Sequence, residues 1–226
     1  MAIEVNGIIP WGRTFDEYGL IFGLSPRDLS GRILGCGDGP ASFNAEATGT
    51  GHAVTSCDPV YALSAAEIER RVRACYEDVL GQVRRGRDGF VWDYFRDPDD
   101  LGQRRLTALG RFLTDFEAGK AAGRYVAAAL PELPFGAGEF DLALVSHLLF
   151  LYSDHLSLDF HLRSVDELLR VSKAVRSFPV TDLRRGRSPH LDGVLSHLSD
   201  AGFSGELRRV AYEFQRGANQ MLVISR

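Results

Sequence analysis

Three closely spaced glycines follow a short apolar run near the beginning of the sequence. Residues 32–43 are R-I-L-G-C-G-D-G-P-A-S-F, in which Gly35, Gly37 and Gly39 are separated by single residues. Glycine has no Cβ, so a turn that contains three of them lets the backbone pass close to a bulky neighbour. The pattern therefore predicts a turn between a strand and a helix whose backbone binds a ligand.

A second turn, rich in proline and glycine, leads into another apolar strand. Residues 133–144 are L-P-F-G-A-G-E-F-D-L-A-L. In this order and spacing, the two segments resemble motif I and the segment before strand four of the class I S-adenosylmethionine (SAM)-dependent methyltransferases. The resemblance covers nearly all of residues 31–226. It implies a Rossmann-like sheet, SAM as the cofactor and transfer of a methyl group.

The resemblance also implies which residues would hold the cofactor. The methionine portion and ribose of SAM would contact the glycine turn, which comprises Gly35, Cys36, Gly37, Asp38 and Gly39. Asp58 ends the next predicted strand and is followed by Pro59; its carboxylate would accept both ribose hydroxyls. A purely turn-forming role for Asp58 is the alternative.

Nicotinamide cofactors are also bound by a glycine-rich turn and a later acid. Their fingerprint is G-x-G-x-x-G, whereas Pro40 stands here at the position of the last glycine. The sequence also lacks the G-x-x-x-x-G-K pattern of phosphate-binding loops. Both observations favour SAM over these rival cofactors.

Two acidic residues that are usual in the family are absent. Ile33 stands where an acid commonly helps to hold the ammonium group of SAM, and Ala127–Ala129 stands where an acid lies beside the adenine amine. These departures motivate an alternative function, a non-catalytic protein of methyltransferase fold that binds SAM or S-adenosylhomocysteine (SAH).

The amino-terminal arm, residues 1–30, is a candidate for replacing these contacts. Trp11, Phe15 and Tyr18 could stack on the cofactor or shield it, and Asp16 or Glu17 could meet its ammonium group. The alternative is an amphipathic helix that uses the aromatic side chains as core.

The residues that face both methyl group and acceptor are expected at the end of the fourth strand. Ser146 and His147 stand there; Ser146 is predicted to contact the cofactor. His147 is the candidate catalytic residue because an imidazole can accept a proton near neutral pH, although packing against the cofactor is an alternative. Tyr152 and His155 are weaker candidates.

Several acceptor classes are disfavoured by what the sequence lacks. The segment after strand four does not contain the [DN]-P-P-[FYW] motif of enzymes that methylate base amines, and no cysteine follows a proline as in cytosine-C5 enzymes. The net charge of −4 disfavours a nucleic-acid partner. His155 and His161 lack the i, i+4 spacing of a helical metal site. We therefore expect a small-molecule acceptor and no metal.

Apolar runs and helical patterns alternate along the chain, which predicts an α/β fold. Strands are expected at residues 32–35, 53–57, 125–130, 140–146 and 175–180. They predict a Rossmann-like, seven-stranded, mostly parallel sheet with helices on both faces. An antiparallel last strand is expected from a closing hairpin formed by Val210–Phe214 and Met221–Ile224. Residues 59–124 exceed what a crossover needs; we predict a helical insertion that serves as a lid or packs on the sheet flank.

Length and composition indicate the number of domains and the cellular compartment. The 226 residues, 45% of them hydrophobic, predict a single domain over residues 1–226. Three cysteines without a C-x-x-C pair suit a reducing compartment. The first ten residues lack the layout of a signal peptide, and no apolar run is long enough to span a membrane. We expect a cytoplasmic protein without a membrane partner; the oligomeric state is not predicted.

Overall fold

The centre of the molecule is a seven-stranded sheet. The computed structural model describes residues 10–226, and the strand order is β3-β2-β1-β4-β5-β7-β6. The strands are β1 (Arg32–Cys36), β2 (Ala53–Cys57), β3 (Tyr125–Val126), β4 (Leu142–Ser146), β5 (Val175–Phe178), β6 (Ser204–Arg209) and β7 (Gln220–Ser225). Strands β1 to β5 are parallel, and β7 is antiparallel to β5 and β6. The predicted mostly parallel sheet with an antiparallel last strand is confirmed.

Helices cover both faces of this sheet, as predicted. They are α1 (Phe15–Phe22), α2 (Pro26–Leu29), α3 (Phe43–Gly49), α4 (Ala65–Arg85), α5 (Pro98–Ala121), α6 (Leu158–Val171) and α7 (Leu191–Asp200). Successive residues of a strand point to opposite faces. On β1, Ile33 packs with Tyr18 of α1 and Phe43 of α3, whereas Leu34 packs on the other side with Val165 of α6.

Residues 59–124, the insertion, contain the two longest helices. Ser64 caps α4 and forms a capping box with Glu67, and the carboxylate of Asp97 caps α5. The two helices pack against each other and against the edge strand β3, where they form an apolar cluster that includes Val72, Phe112, Phe116 and Tyr125. The role of the insertion as a lid remains a prediction. The assignment of residues 1–226 to a single domain also remains a prediction.

The described part of the chain begins within the predicted arm. Residues 1–9 of the arm, and with them the segment in which a signal peptide was not expected, lie outside the described residues. No helix within residues 10–226 combines the length and the apolar character that crossing a membrane requires.

Strand β3 is shorter than the predicted run of residues 125–130. It ends at Val126, which pairs with Cys57, the last residue of β2. Beyond that point the edge strand has no neighbour to pair with, so residues 127–130 leave the sheet.

The first strand of the closing hairpin lies earlier in the sequence than predicted. Its first strand is β6, Ser204–Arg209, whose alternating burial on the outer edge of the sheet gives little apolar signal. Residues 210–219, the tail segment, connect β6 to β7 and extend towards the insertion, where the Val91 N–H donates to the Phe214 carbonyl. Tyr212 and Phe214 alternate because they pack against the insertion, not because they form a strand.

A buried ion pair joins α1 to α5. Glu17 and Arg105 are 0% and 4% exposed, and Arg105 donates to both carboxylate oxygens, at 2.6 and 2.7 Å. The Tyr212 hydroxyl donates to the same carboxylate at 3.1 Å. Burial by itself raises the pKa of Glu17, but attraction by Arg105 and its hydrogen bonds lower that pKa overall. The ion pair thus connects the arm, the insertion and the tail segment.

Breaking this pair should destabilise the whole domain. In Glu17→Gln the charge of Arg105 stays buried without its counterion, so we expect the free energy of unfolding to fall by about 3–5 kcal/mol. Urea denaturation followed by circular dichroism measures this change. Glu132→Gln is the matched control, since Glu132 pairs with Arg163 but is 89% exposed, and it should change stability by less than about 0.5 kcal/mol. Equal, small losses in both variants would contradict the assigned importance of the Glu17–Arg105 pair.

Candidate functional site

A cavity of about 770 Å³ lies where the parallel strands end. Its floor is formed by the residues that follow β1, β2, β4 and β5, namely Gly37–Gly39, Asp58–Val60, His147–Leu148 and Pro179. Ligands of open α/β sheets bind at this carboxyl edge, where the strand order reverses. Here the reversal lies between β1 and β4, which are neighbours in the sheet. The cavity is therefore the candidate ligand site.

The glycine turn forms part of the floor, and two of its glycines have left-handed backbone conformations. Gly37 and Gly39 have φ values of 70° and 54°, which side chains rarely adopt. Cys36, Gly37, Asp38 and Gly39 line the cavity. Gly35 does not; a Cβ at this position would overlap the carboxylate of Asp38. Gly35 thus makes room for a side chain of the turn itself, and its backbone contact with a cofactor remains a prediction.

Asp38 is the acid of the turn and is 7% exposed. Its two oxygens accept hydrogen bonds from the hydroxyls of Tyr18 and Ser56, each at 2.6 Å. Burial raises the pKa of Asp38 to about 6, against the effect of these hydrogen bonds, and the nearby charge of Asp58 contributes to the increase. The turn therefore holds a carboxyl group that titrates near neutral pH beside the cavity.

Asp58 lines the cavity at the end of β2 and also shapes the loop that follows. Its Oδ2 accepts from the Gly39 N–H at 2.9 Å, and its Oδ1 accepts from the Val60 N–H at 2.8 Å. Asp58 thereby caps the 3-10 turn Pro59–Ala62. This geometry is compatible with a turn-forming role of Asp58 and also with binding of ribose hydroxyls, because each carboxylate oxygen can accept a second hydrogen bond. Pro59 also lines the cavity.

Ser146 and His147 lie at the end of β4, and both line the cavity. The Ser146 hydroxyl and His147 Nδ1 are 2.9 Å apart, and His147 has a left-handed backbone with φ of 54°. Its ring lies deep in the molecule yet keeps part of its surface open to the cavity. Burial, together with the positive charges of Arg13 and Arg105, lowers the pKa of His147 well below 6.5. The imidazole is therefore neutral at pH 7 and has a free lone pair for a proton, but the same effects make it a weak base.

The amino-terminal arm contributes some of the predicted contacts. Trp11 and Tyr18 line the cavity, but Phe15 does not, because its ring stacks on Phe43 and His52. Phe15 thus packs on α3, and its contact with a cofactor remains an untested prediction. Tyr18 serves as core and also lines the cavity. Its ring stacks on Phe43 with ring centroids 4.1 Å apart, and its hydroxyl donates a hydrogen bond to Asp38.

Neither acid of the arm faces the cavity. Asp16 is exposed to solvent, and both oxygens of Glu17 are bound by Arg105. The suggestion that one of them meets the ammonium group of a cofactor is therefore not supported. Apolar residues stand where the family acids are missing. Ile33 is fully buried and packs with Tyr18 and Phe43. Ala128 and Ala129 line the cavity.

The sequence did not reveal the remaining walls of the cavity. The insertion contributes Cys75, Val79 and Val83 of α4, together with Phe90, Leu101 and Arg105, and the tail segment contributes Tyr212, Phe214, Gln215 and Ala218. A signal existed for Arg105, which interrupts the apolar stripe of α5 between Leu101 and Leu109. No local pattern indicated which surface these side chains would face.

The two weaker catalytic candidates, Tyr152 and His155, lie in different surroundings. Tyr152 lines the cavity, whereas His155 is exposed and does not. Within residues 10–226, no three His, Cys, Asp or Glu side chains form a group that could hold a metal ion.

Comparison with known proteins gives one full-length relative. The chain is 34% identical over 226 residues to the uncharacterised protein MJ0045 of Methanocaldococcus jannaschii, and the match covers 99% of each chain. No family model matches the sequence.

Solved structures with similar topology are more distant. The magnesium protoporphyrin IX methyltransferase of Synechocystis PCC 6803 with bound SAH is 14% identical, with a TM-score of 0.48, over 94% of this chain and 81% of that chain. The N-methyltransferase NodS of Bradyrhizobium japonicum WM9 is 13% identical, with a TM-score of 0.47, over 92% of each chain. At these identities and TM-scores the matches carry no argument about function, and the fold assignment depends on the observed strand order.

The raised pKa of Asp38 predicts a specific dependence of stability on pH. A free aspartate has a pKa of about 3.9, so between that value and about 6 the folded state binds more protons than the unfolded state. Stability from this group therefore increases by about 1 kcal/mol as the pH falls from 7 to 5. Asp38→Asn keeps the size of the side chain but removes the titrating carboxyl group, so it should lose this increase, which urea denaturation at both pH values measures. Asp93→Asn, at an exposed position, should keep it. A loss in neither variant would contradict the assignment.

Proposed function

This chain belongs to the same protein family as MJ0045 of Methanocaldococcus jannaschii, and we propose that it transfers a methyl group from SAM to a small molecule. One observation carries the proposal: the glycine turn, Asp58 and His147 follow three different strands and line one cavity. Their convergence at the carboxyl edge of the sheet is the arrangement expected for a nucleoside-containing cofactor beside a reacting group.

The side chains of this edge fit the polar groups of SAM. Asp58 has lone pairs left for the two ribose hydroxyls after binding Gly39 and Val60. At the left-handed glycines Gly37 and Gly39 the turn presents bare backbone to the cavity. The alanines at 128 and 129 leave an apolar surface for the flat face of the adenine.

Asp38 is the residue that we propose for the ammonium group. Its carboxylate folds back over Gly35, close to the start of the turn, and so replaces the acid that is missing at Ile33. A bound cation would favour the ionised form of Asp38, whose pKa burial raises to about 6.

When bound, SAM supplies a methyl group on a positively charged sulfur, which keeps the electron pair of the broken bond and leaves the neutral thioether SAH. The chain itself has to position the acceptor and exclude water. His147, which burial keeps neutral, accepts the proton that an acceptor O–H or N–H releases. The sheet edge, arm, insertion and tail segment all line the cavity, which favours a small acceptor over a macromolecule.

Titration calorimetry with SAM and with SAH tests the cofactor directly. We expect binding by the wild type and a loss of about 1.5–3 kcal/mol in Asp58→Ala, because hydrogen bonds to a charged acceptor are removed. Asp93→Ala, at an exposed acid of the insertion, should bind as the wild type does. Binding of neither compound by the wild type would refute the proposal.

A second candidate function has a specific motivation in the two missing acids. If SAM and SAH bind but a screen of acceptors with radiolabelled SAM finds no transfer, the chain is a SAM-binding or SAH-binding protein without turnover. Transfer to any small acceptor excludes that alternative.

His147→Asn separates binding from catalysis. Asparagine tolerates the left-handed backbone of this position, so the fold and the affinity for SAH should be preserved. With an acceptor found in the screen, we expect kcat to fall about 100-fold because the proton acceptor is lost. Asn219→Ala, in the tail segment but not among the cavity residues, is the control. An unchanged kcat in His147→Asn would show that the ring only packs.

A further inference from the structure

Arg13 is a half-buried cation that has no carboxylate partner among residues 10–226. It lines the cavity, its Nη1 donates to the Trp11 carbonyl at 3.1 Å, and its Nε is inaccessible to water and unpaired among the described residues. The neighbouring carboxylate of Glu17 is bound through both oxygens by Arg105. Arg13 therefore differs from Arg105 in having hydrogen-bonding capacity that the described chain does not use.

The charges around Arg13 do not balance. Within the described part of the chain, the guanidinium groups of Arg13 and Arg105 lie close to one carboxylate, that of Glu17, which leaves one excess positive charge there. Desolvation by burial and repulsion by Arg105 lower the pKa of Arg13, yet an arginine remains charged. A buried charge without a counterion is unfavourable, and a bound anion would compensate for it.

Arg13 lies at the part of the cavity that holds His147. Its charge is close enough to help lower the pKa of that ring, and it also acts on Tyr212 of the tail segment. The anion would therefore lie beside the residue proposed to face the acceptor.

The walls next to this region are apolar and aromatic. Phe90 of the insertion and Phe214 of the tail segment stack with ring centroids 4.7 Å apart, and both line the cavity with Phe178 and Val83. Such surfaces favour a flat apolar molecule over a polar one.

We propose that the methyl acceptor is an apolar ring compound with a carboxylate, and that Arg13 binds this carboxylate. The proposal rests on the proposed methyl transfer. A guanidinium binds a carboxylate through two parallel hydrogen bonds, so Arg13 would orient the ring along the aromatic wall and fix which atom of the acceptor faces the methyl group.

The test compares 2-naphthoate with 2-naphthamide, which has a similar shape but no charge. Calorimetric titration of the wild-type protein loaded with SAH should show at least tenfold tighter binding of the acid. Arg13→Gln should lose this preference, and Arg13→Lys, which keeps the charge, should retain part of it. Arg71→Gln is the matched control, since Arg71 also lines the cavity but is exposed, and it should retain the full preference.

Three results would overturn the proposal. The first is equal affinity of the wild type for acid and amide, which needs no variant to fold. The second is an undiminished preference in Arg13→Gln. The third is a tenfold loss of SAH affinity in Arg13→Gln without a loss for 5′-methylthioadenosine, which lacks the amino-acid portion; the bound carboxylate would then be the cofactor's own.

Failure of the proposed function has a different signature. If the wild type binds neither SAM nor SAH, methyl transfer is refuted. The titrations with acid and amide can then be carried out on the free protein, and preference for the acid that depends on Arg13 would support the carboxylate site without the cofactor.

Discussion

The bidentate contact between Glu17 and Arg105 is the constraint on which the candidate site depends. Glu17 belongs to the first helix and Arg105 to the second long helix of the insertion, and Tyr212 of the tail segment binds the same carboxylate. These three parts of the chain are far apart in sequence, and each supplies a wall of the cavity. Within the buried surroundings, neither charge could remain without the other, so the pair requires the three walls to assemble together.

The same ion pair determines the electrostatics of the cavity. Since Glu17 is occupied by Arg105, it cannot neutralise Arg13 or serve as an acid for a ligand. The acids that line the cavity at the sheet edge are instead Asp38 and Asp58, and Arg13 lines the same cavity without a carboxylate partner among the described residues. The cavity thus has acidic groups at one part and a positive charge at another, which suits a cofactor with a ribose and an ammonium group beside an anionic acceptor.

In the glycine turn, Gly35 has a structural role that differs from the one its motif suggests. Gly37 and Gly39 adopt left-handed conformations at the cavity, as a ligand-binding turn requires. Gly35 is not among the cavity residues and leaves space for the carboxylate of Asp38, which would otherwise overlap a Cβ. Asp38 can therefore lie over the start of the turn, where it accepts hydrogen bonds from Tyr18 and Ser56.

The sequence by itself determined the sheet, most of its helices and the residues at its carboxyl edge, because local signals specify them. Continuous apolar runs specify β1 and β4, capping residues such as Ser64 and Asp97 specify where helices begin, and glycines specify the turn. The tertiary structure decided which side chains face the cavity from outside the sheet. Phe15 and Tyr18 belong to one short helix, yet only Tyr18 lines the cavity, and the alternation of Tyr212 and Phe214 reflects packing on the insertion. Such contacts join residues distant in sequence, and their partners follow from packing and charge compensation across the fold, which no local pattern encodes.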